Sequence, residues 1–127
     1  MESLKIEGSH GAFFVPFVDF NANSGRCELS GESYLENTSE FYDKLLEWLE
    51  TYMENIKKPI YFNIKLTYFN TSSSRAILDI LNLLKSYEDD GGQIRVNWYY
   101  EEDDLDMEEE IEDYIFDTDL DINKKAF

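Results

Sequence analysis

Ile60-Tyr61-Phe62-Asn63-Ile64-Lys65-Leu66-Thr67 places an apolar residue at every second position, with Tyr, Asn, Lys and Thr between. A period of two is the period of a pleated strand, so this stretch predicts a strand with one apolar face. After Phe69 the run Asn70-Thr71-Ser72-Ser73-Ser74 intervenes. Ala76, Ile77, Ile80, Leu81, Leu83, Leu84 and Tyr87 then recur at helical spacing up to Gly91-Gly92. Alternation returns at Ile94, Val96, Trp98 and Tyr100. Strand, helix, strand in that order implies a right-handed parallel crossover between residues 60 and 100, and therefore an α/β architecture.

Working back from Ile60, Pro59 follows Lys57-Lys58 and suits the end of a helix. Phe41, Leu45, Trp48, Leu49, Tyr52, Met53 and Ile56 give that helix one apolar stripe. Asn37 or Thr38 supplies its cap, and Glu40, three residues after Asn37, makes an approximate capping box. Leu4–Ile6 predicts a short strand, Phe13–Phe20 a longer one with Pro16 at an edge or bulge, and Arg26–Ser30 another. The turn residues Asn21-Ala22-Asn23-Ser24-Gly25 join the last two as a hairpin. Beyond Tyr100, Met107, Ile111, Tyr114 and Ile115 line one side of a third, very acidic helix, and Asp117–Phe127 reads as a polar tail.

With 127 residues, 43% hydrophobic and 16% aromatic, the chain suits one domain spanning 1–127 that buries a moderate core. No basic segment followed by an apolar one opens the sequence, and no eighteen apolar residues run together, so a cytoplasmic address is expected. The net charge of −17 repels phosphate backbones and anionic membranes, which disfavours nucleic-acid and lipid partners. Residues 101–127 hold 13 acidic and 2 basic side chains, against 15 and 9 in residues 1–100. That acidic segment is a solvated face or a docking surface for a basic partner.

Enzyme chemistry leaves few traces here. His10, the one histidine, lies in a Gly-rich stretch poorly placed to serve a Ser or Cys nucleophile. Cys27, the one cysteine, fits a small buried strand residue and excludes an internal disulfide. No Gly-rich phosphate loop is present. Asp117, Asp119 and Asp121 alternate like the start of a calcium loop, but Ile122 stands where that loop needs glycine. No catalytic residue, metal or cofactor is expected.

What remains is the turn Asn70–Ser74, just past a parallel strand and at a helix start, where open α/β sheets present ligands. A helix N-terminus has unpaired amides and a partial positive charge, so a phosphate on Thr71 would gain about 0.3–1 kcal/mol without melting the helix. The added charge, about −1.5 to −2, would repel an acidic partner or wedge open a close-packed interface. Asn, Thr and Ser also begin many helices purely as caps.

The stretch Leu66-Thr67-Tyr68-Phe69-Asn70-Thr71-Ser72-Ser73-Ser74-Arg75-Ala76-Ile77-Leu78-Asp79-Ile80-Leu81 resembles the SiaC-type regulatory phosphoproteins, which are similar to STAS domains, the anti-sigma-factor antagonists. Gly31–Asn37 and Val96–Tyr100 extend the resemblance over nearly the whole chain, and Asn-Thr-Ser-Ser is its specific part. It implies a STAS-like domain, a mixed sheet of about four or five strands with the main helices on one face. It further implies phosphorylation of Thr71 by a partner kinase and reversal by a PP2C-like phosphatase, with Ser72 and Ser73 as lesser acceptors. Unmodified protein would bind and activate a diguanylate cyclase, raising cyclic di-GMP, and phosphorylation would release it. Asn70, Thr71, Ser72, Ser73 and Arg75 would form the partner-binding surface. Two other classes compete: an antagonist of an anti-sigma factor, and an acidic docking or DNA-mimic protein.

Overall fold

The computed structural model describes residues 1–127. Its central element is the strand expected at Ile60, here β6 (Ile60–Phe69), flanked by β5 (Arg26–Ser33) and β7 (Ile94–Tyr100), both parallel to it. Ile60, Phe62, Ile64 and Leu66 are buried while Tyr61 and Lys65 are exposed, so the alternation is realised as two unlike faces. β4 (Phe17–Phe20) pairs antiparallel with β5, and β1 (Leu4–Ile6) with β4. A separate two-stranded ribbon, β2 (Ser9–His10) with β3 (Phe14–Val15), lies beside them, and Pro16 marks the break between β3 and β4.

Three helices complete the chain: α1 (Thr38–Asn55), α2 (Thr71–Asp89) and α3 (Leu105–Thr118). The order β1-β4-β5-β6-β7-β8 means that each crossover from β5 onward steps one strand in the same direction. Crossovers of one hand stepping one way put their helices on the same side, so α1, α2 and α3 form a single layer. They bury one face of the sheet and leave the other to solvent.

Three expectations are corrected. Asp117–Phe127 is not a tail, because Ile122–Ala126 forms β8, parallel to β7 with Val96 opposite Ile122 and Tyr100 opposite Ala126. The main sheet therefore has six strands rather than four or five. Leu120 and Ile122 are buried, and Thr118 and Asp119 end α3 so that the chain can turn back. The alternating aspartates thus belong to a helix end and a strand start. β5 also runs three residues past Ser30, with Gly31 at φ 100° beside a register shift where Thr67 is passed over, so that Ser33 faces inward opposite Phe69.

The core joins Phe20, Leu29 and Phe62 from the sheet to Trp48, Leu49, Ile80 and Leu84 from the helices. Trp98 is fully buried, stacked on Tyr114 with centroids 5.6 Å apart, and its indole N–H has no acceptor. Cys27 is buried as expected, and burial pushes its thiol well above the usual range. No helix is long and apolar enough to cross a membrane.

Candidate functional site

β5 and β6 end side by side, and the helices that follow them begin there. Asn37 caps α1 by accepting the Glu40 N–H at 3.1 Å, and Asn70 caps α2 by accepting the Ser73 N–H at 3.0 Å. The Asn70 N–H donates to the Ser33 carbonyl at 3.1 Å, which fixes where α2 leaves the sheet. The two first turns touch: the Thr38 hydroxyl lies 2.8 Å from Ser72 Oγ, and Ser72 donates to Asn70 Oδ1 at 3.3 Å. Since the Ser72 proton is committed to Asn70, Thr38 is the donor. Two helix N-termini, each with a partial positive charge of about +0.5, therefore lie together.

The four consecutive hydroxyls of α2 have different fates. Ser72 is tied to α1 as just described. Ser73 is fully buried; Ser33 Oγ donates to it at 2.8 Å, and it donates to the Ser33 carbonyl at 3.3 Å. Tyr42 on α1 completes this chain by donating to Ser33 Oγ at 2.7 Å. Burial pushes the Tyr42 phenol up to about 12, against the smaller opposing pull of its serine hydrogen bonds. Ser74 is held by α3, where the Tyr114 hydroxyl donates to the Ser74 carbonyl at 2.9 Å and stands 3.1 Å from its Oγ. Thr71, the first residue of α2, is exposed and its hydroxyl makes no hydrogen bond.

Arg75 is also exposed, with Nε 3.6 Å from Asp79 Oδ1. It lies four residues after Thr71, one turn along the same helix face, within reach of a group attached there. The structure thus brings Asn70, Thr71, Ser72 and Arg75 to one surface and sends Ser73 inward, where it positions the turn and touches no solvent. Thr38, Ser33, Tyr42 and Tyr114 were not anticipated as parts of this site. A signal for Ser73 was present, because it lies three and four residues before Ala76 and Ile77 and so shares their buried stripe.

This geometry is that of a surface hydroxyl on a braced helix start, with no nucleophile and base paired beside it. Residues 6–127 match the family model described as SiaC family regulatory phosphoprotein. The chain belongs to the SiaC family. An uncharacterized protein of Pseudomonas aeruginosa (strain UCBPP-PA14) is 31% identical over 101 residues, 80% of this chain and 78% of that protein. Apo-SiaC from Pseudomonas aeruginosa superposes with a TM-score of 0.88 at 28% identity, covering 99% of this chain and 100% of that one. A structure of the diguanylate cyclase SiaD in complex with its activator SiaC, from the same organism, matches at TM-score 0.90 and 27% identity, covering 98% and 99%. This SiaC-family chain therefore shares with those proteins a mixed α/β domain and the standing of a regulatory phosphoprotein.

Proposed function

We propose that this SiaC-family protein is a cytoplasmic phospho-switch whose modified residue is Thr71. The observation that carries the reading is the contrast among the α2 hydroxyls: Ser72, Ser73 and Ser74 are each bound into a neighbouring element, whereas Thr71 is exposed and unbonded. A kinase can reach Thr71 without opening the fold. Its phosphate would stand over two adjacent helix N-termini and one turn from Arg75, which would exchange its exposed contact with Asp79 for a charge-assisted pair. The modified helix start stays folded, and what changes is its surface charge and bulk.

The partner reading rests on SiaC, described as the activator of the diguanylate cyclase SiaD with which it forms a complex. Unmodified protein binds and activates a diguanylate cyclase and so raises cyclic di-GMP. Phosphorylation by a partner kinase abolishes that fit, and a PP2C-like phosphatase restores it. The protein acts by binding and performs no catalysis of its own. The test is fragment mass spectrometry of protein isolated from its own cells: one phosphate is expected on Thr71 and none on Ser73. Phosphate on Ser73, or none on Thr71 under every growth condition, would overturn the assignment.

A further inference from the structure

We infer that the bare face of the sheet is a second docking surface, for an acidic helix of a partner protein, separate from the Thr71 end. Charge in this molecule is sorted by layer. The three helices carry fifteen acidic and three basic side chains, whereas the six strands of the main sheet carry six basic and three acidic ones. A sheet whose strands are mainly parallel is normally covered on both faces, and here one face has no cover.

Four cations on that face are arranged and unspent, whereas Lys5 at its edge pairs with Glu7. Arg26, Tyr61 and Arg95 stand in one row across β5, β6 and β7. The next row runs Asp19, Glu28, Asn63, Asn97 and Asn123; its two carboxylates lie at the β4–β5 end, and the three asparagine amides bond one another at 2.9 and 3.2 Å as a fixed polar ladder toward β8. Beyond it, Lys65 adjoins Tyr99, which is paired with Lys125, and a shallow depression of about 500 Å³ is lined by Lys65 and Tyr99 with Asn63, Ser30 and the single carboxylate of Glu28. Arg26, Lys65, Arg95 and Lys125 make no ion pair in a chain with 28 carboxylates. Lys65 lies over the Phe127 ring instead, 4.4 Å from its centroid.

Arg26 and Arg95, like Lys65 and Lys125, sit two strand spacings apart, about 10 Å. Carboxylates seven residues apart on a helix have nearly the same separation, about 10.5 Å, so one acidic helix lying across the strands can meet both cations of a row. Tyr61 and Tyr99 offer amphipathic surface between them. A nucleic acid fits less well, since its phosphates continue past the patch into the field of a chain with net charge −17.

The test is an NMR titration of isotope-labelled protein with a helical peptide carrying glutamates seven residues apart, watching the side-chain amides of Asn63, Asn97 and Asn123. Saturable shifts confined to the bare face are expected, weaker at higher salt. The Lys65→Glu/Arg95→Glu double variant should bind at least about tenfold more weakly, because in each row one exposed attraction becomes a repulsion. These side chains are exposed, and Lys125→Glu alone provides a milder variant if the double one is unstable. Thr71→Glu should bind the peptide as wild type does, which separates this surface from the switch. Absence of saturable shifts, shifts centred on Lys44, Lys57 and Lys58, or tighter binding of a single-stranded oligonucleotide would each overturn the inference.

Discussion

Ser72 and Ser73 are chemically identical neighbours, and the structure assigns them opposite energetic roles. Ser73→Ala removes a fully buried hydroxyl that accepts from Ser33 and donates to the Ser33 carbonyl. The carbonyl keeps its bond from the Asn70 N–H, but the Ser33 and Tyr42 hydroxyls are left with only each other, so one of their two buried protons has no acceptor. An unsatisfied buried group of this kind costs about 1–3 kcal/mol. Ser72→Ala removes an exposed hydroxyl whose partners, Thr38 and Asn70, are themselves open to water and can rebond there. Its cost should stay within about 0.5 kcal/mol, as for surface substitutions in general. Urea unfolding followed by circular dichroism measures both on one scale. An equal loss for the two variants, or a larger loss for Ser72→Ala, would refute the buried relay and with it the claim that Thr71 alone is presented.

Three further outcomes follow from the same geometry. Thr71→Glu should raise stability by about 0.3–1 kcal/mol and Thr71→Lys should lower it similarly, both effects shrinking in high salt, because position one of α2 feels the helix dipole; thermal melts at two salt concentrations decide it. The Tyr42 phenol is held above its usual value of about 10, so the folded state keeps a proton that the unfolded chain loses above that pH. Its contribution is complete below pH ~10 and disappears as the pH approaches ~12, so Tyr42→Phe should flatten the alkaline fall in stability; an unchanged slope in pH-dependent unfolding would contradict this. Leu120→Ala, in what reads as a tail by composition, should cost about 2–5 kcal/mol because Leu120 is buried between α3 and β8; a loss below about 1 kcal/mol would show that the last strand is dispensable.

The parts of the fold that could be read from sequence are those whose two faces differ. β6 and β7 alternate because helices cover one side and water the other, and α1 and α2 carry their core stripe at helical spacing. β8 was missed for the converse reason. In Ile122-Asn123-Lys124-Lys125-Ala126 only Ile122 is both apolar and buried, and the helix-side Lys124 is matched by Glu108 and Glu112 of α3 rather than by apolar packing. A strand held by backbone pairing and ion pairs leaves no hydrophobic period. The end of β5 was hidden by Gly31, which resembles a turn residue but serves a bulge. At the site, the hydroxyl run and its position after a strand were legible, and the resemblance singled out Thr71. Which hydroxyl points outward depends on α1, α3 and β5 converging from 34 to 40 residues away, through Thr38, Ser33 and Tyr114, with Tyr42 bonded to Ser33. Local spacing carries almost none of that information.

In the proposed switch, phosphate on Thr71 decides whether the partner binds. The most direct measurement is recovery of partners from the native cell with three baits, wild type, Thr71→Ala and Thr71→Glu, together with the intact mass of the wild-type bait. A phosphorylated wild-type fraction is expected, with a diguanylate cyclase recovered by wild type and Thr71→Ala and lost with Thr71→Glu. An unmodified wild-type bait, with all three baits recovering the same partner equally, would contradict it.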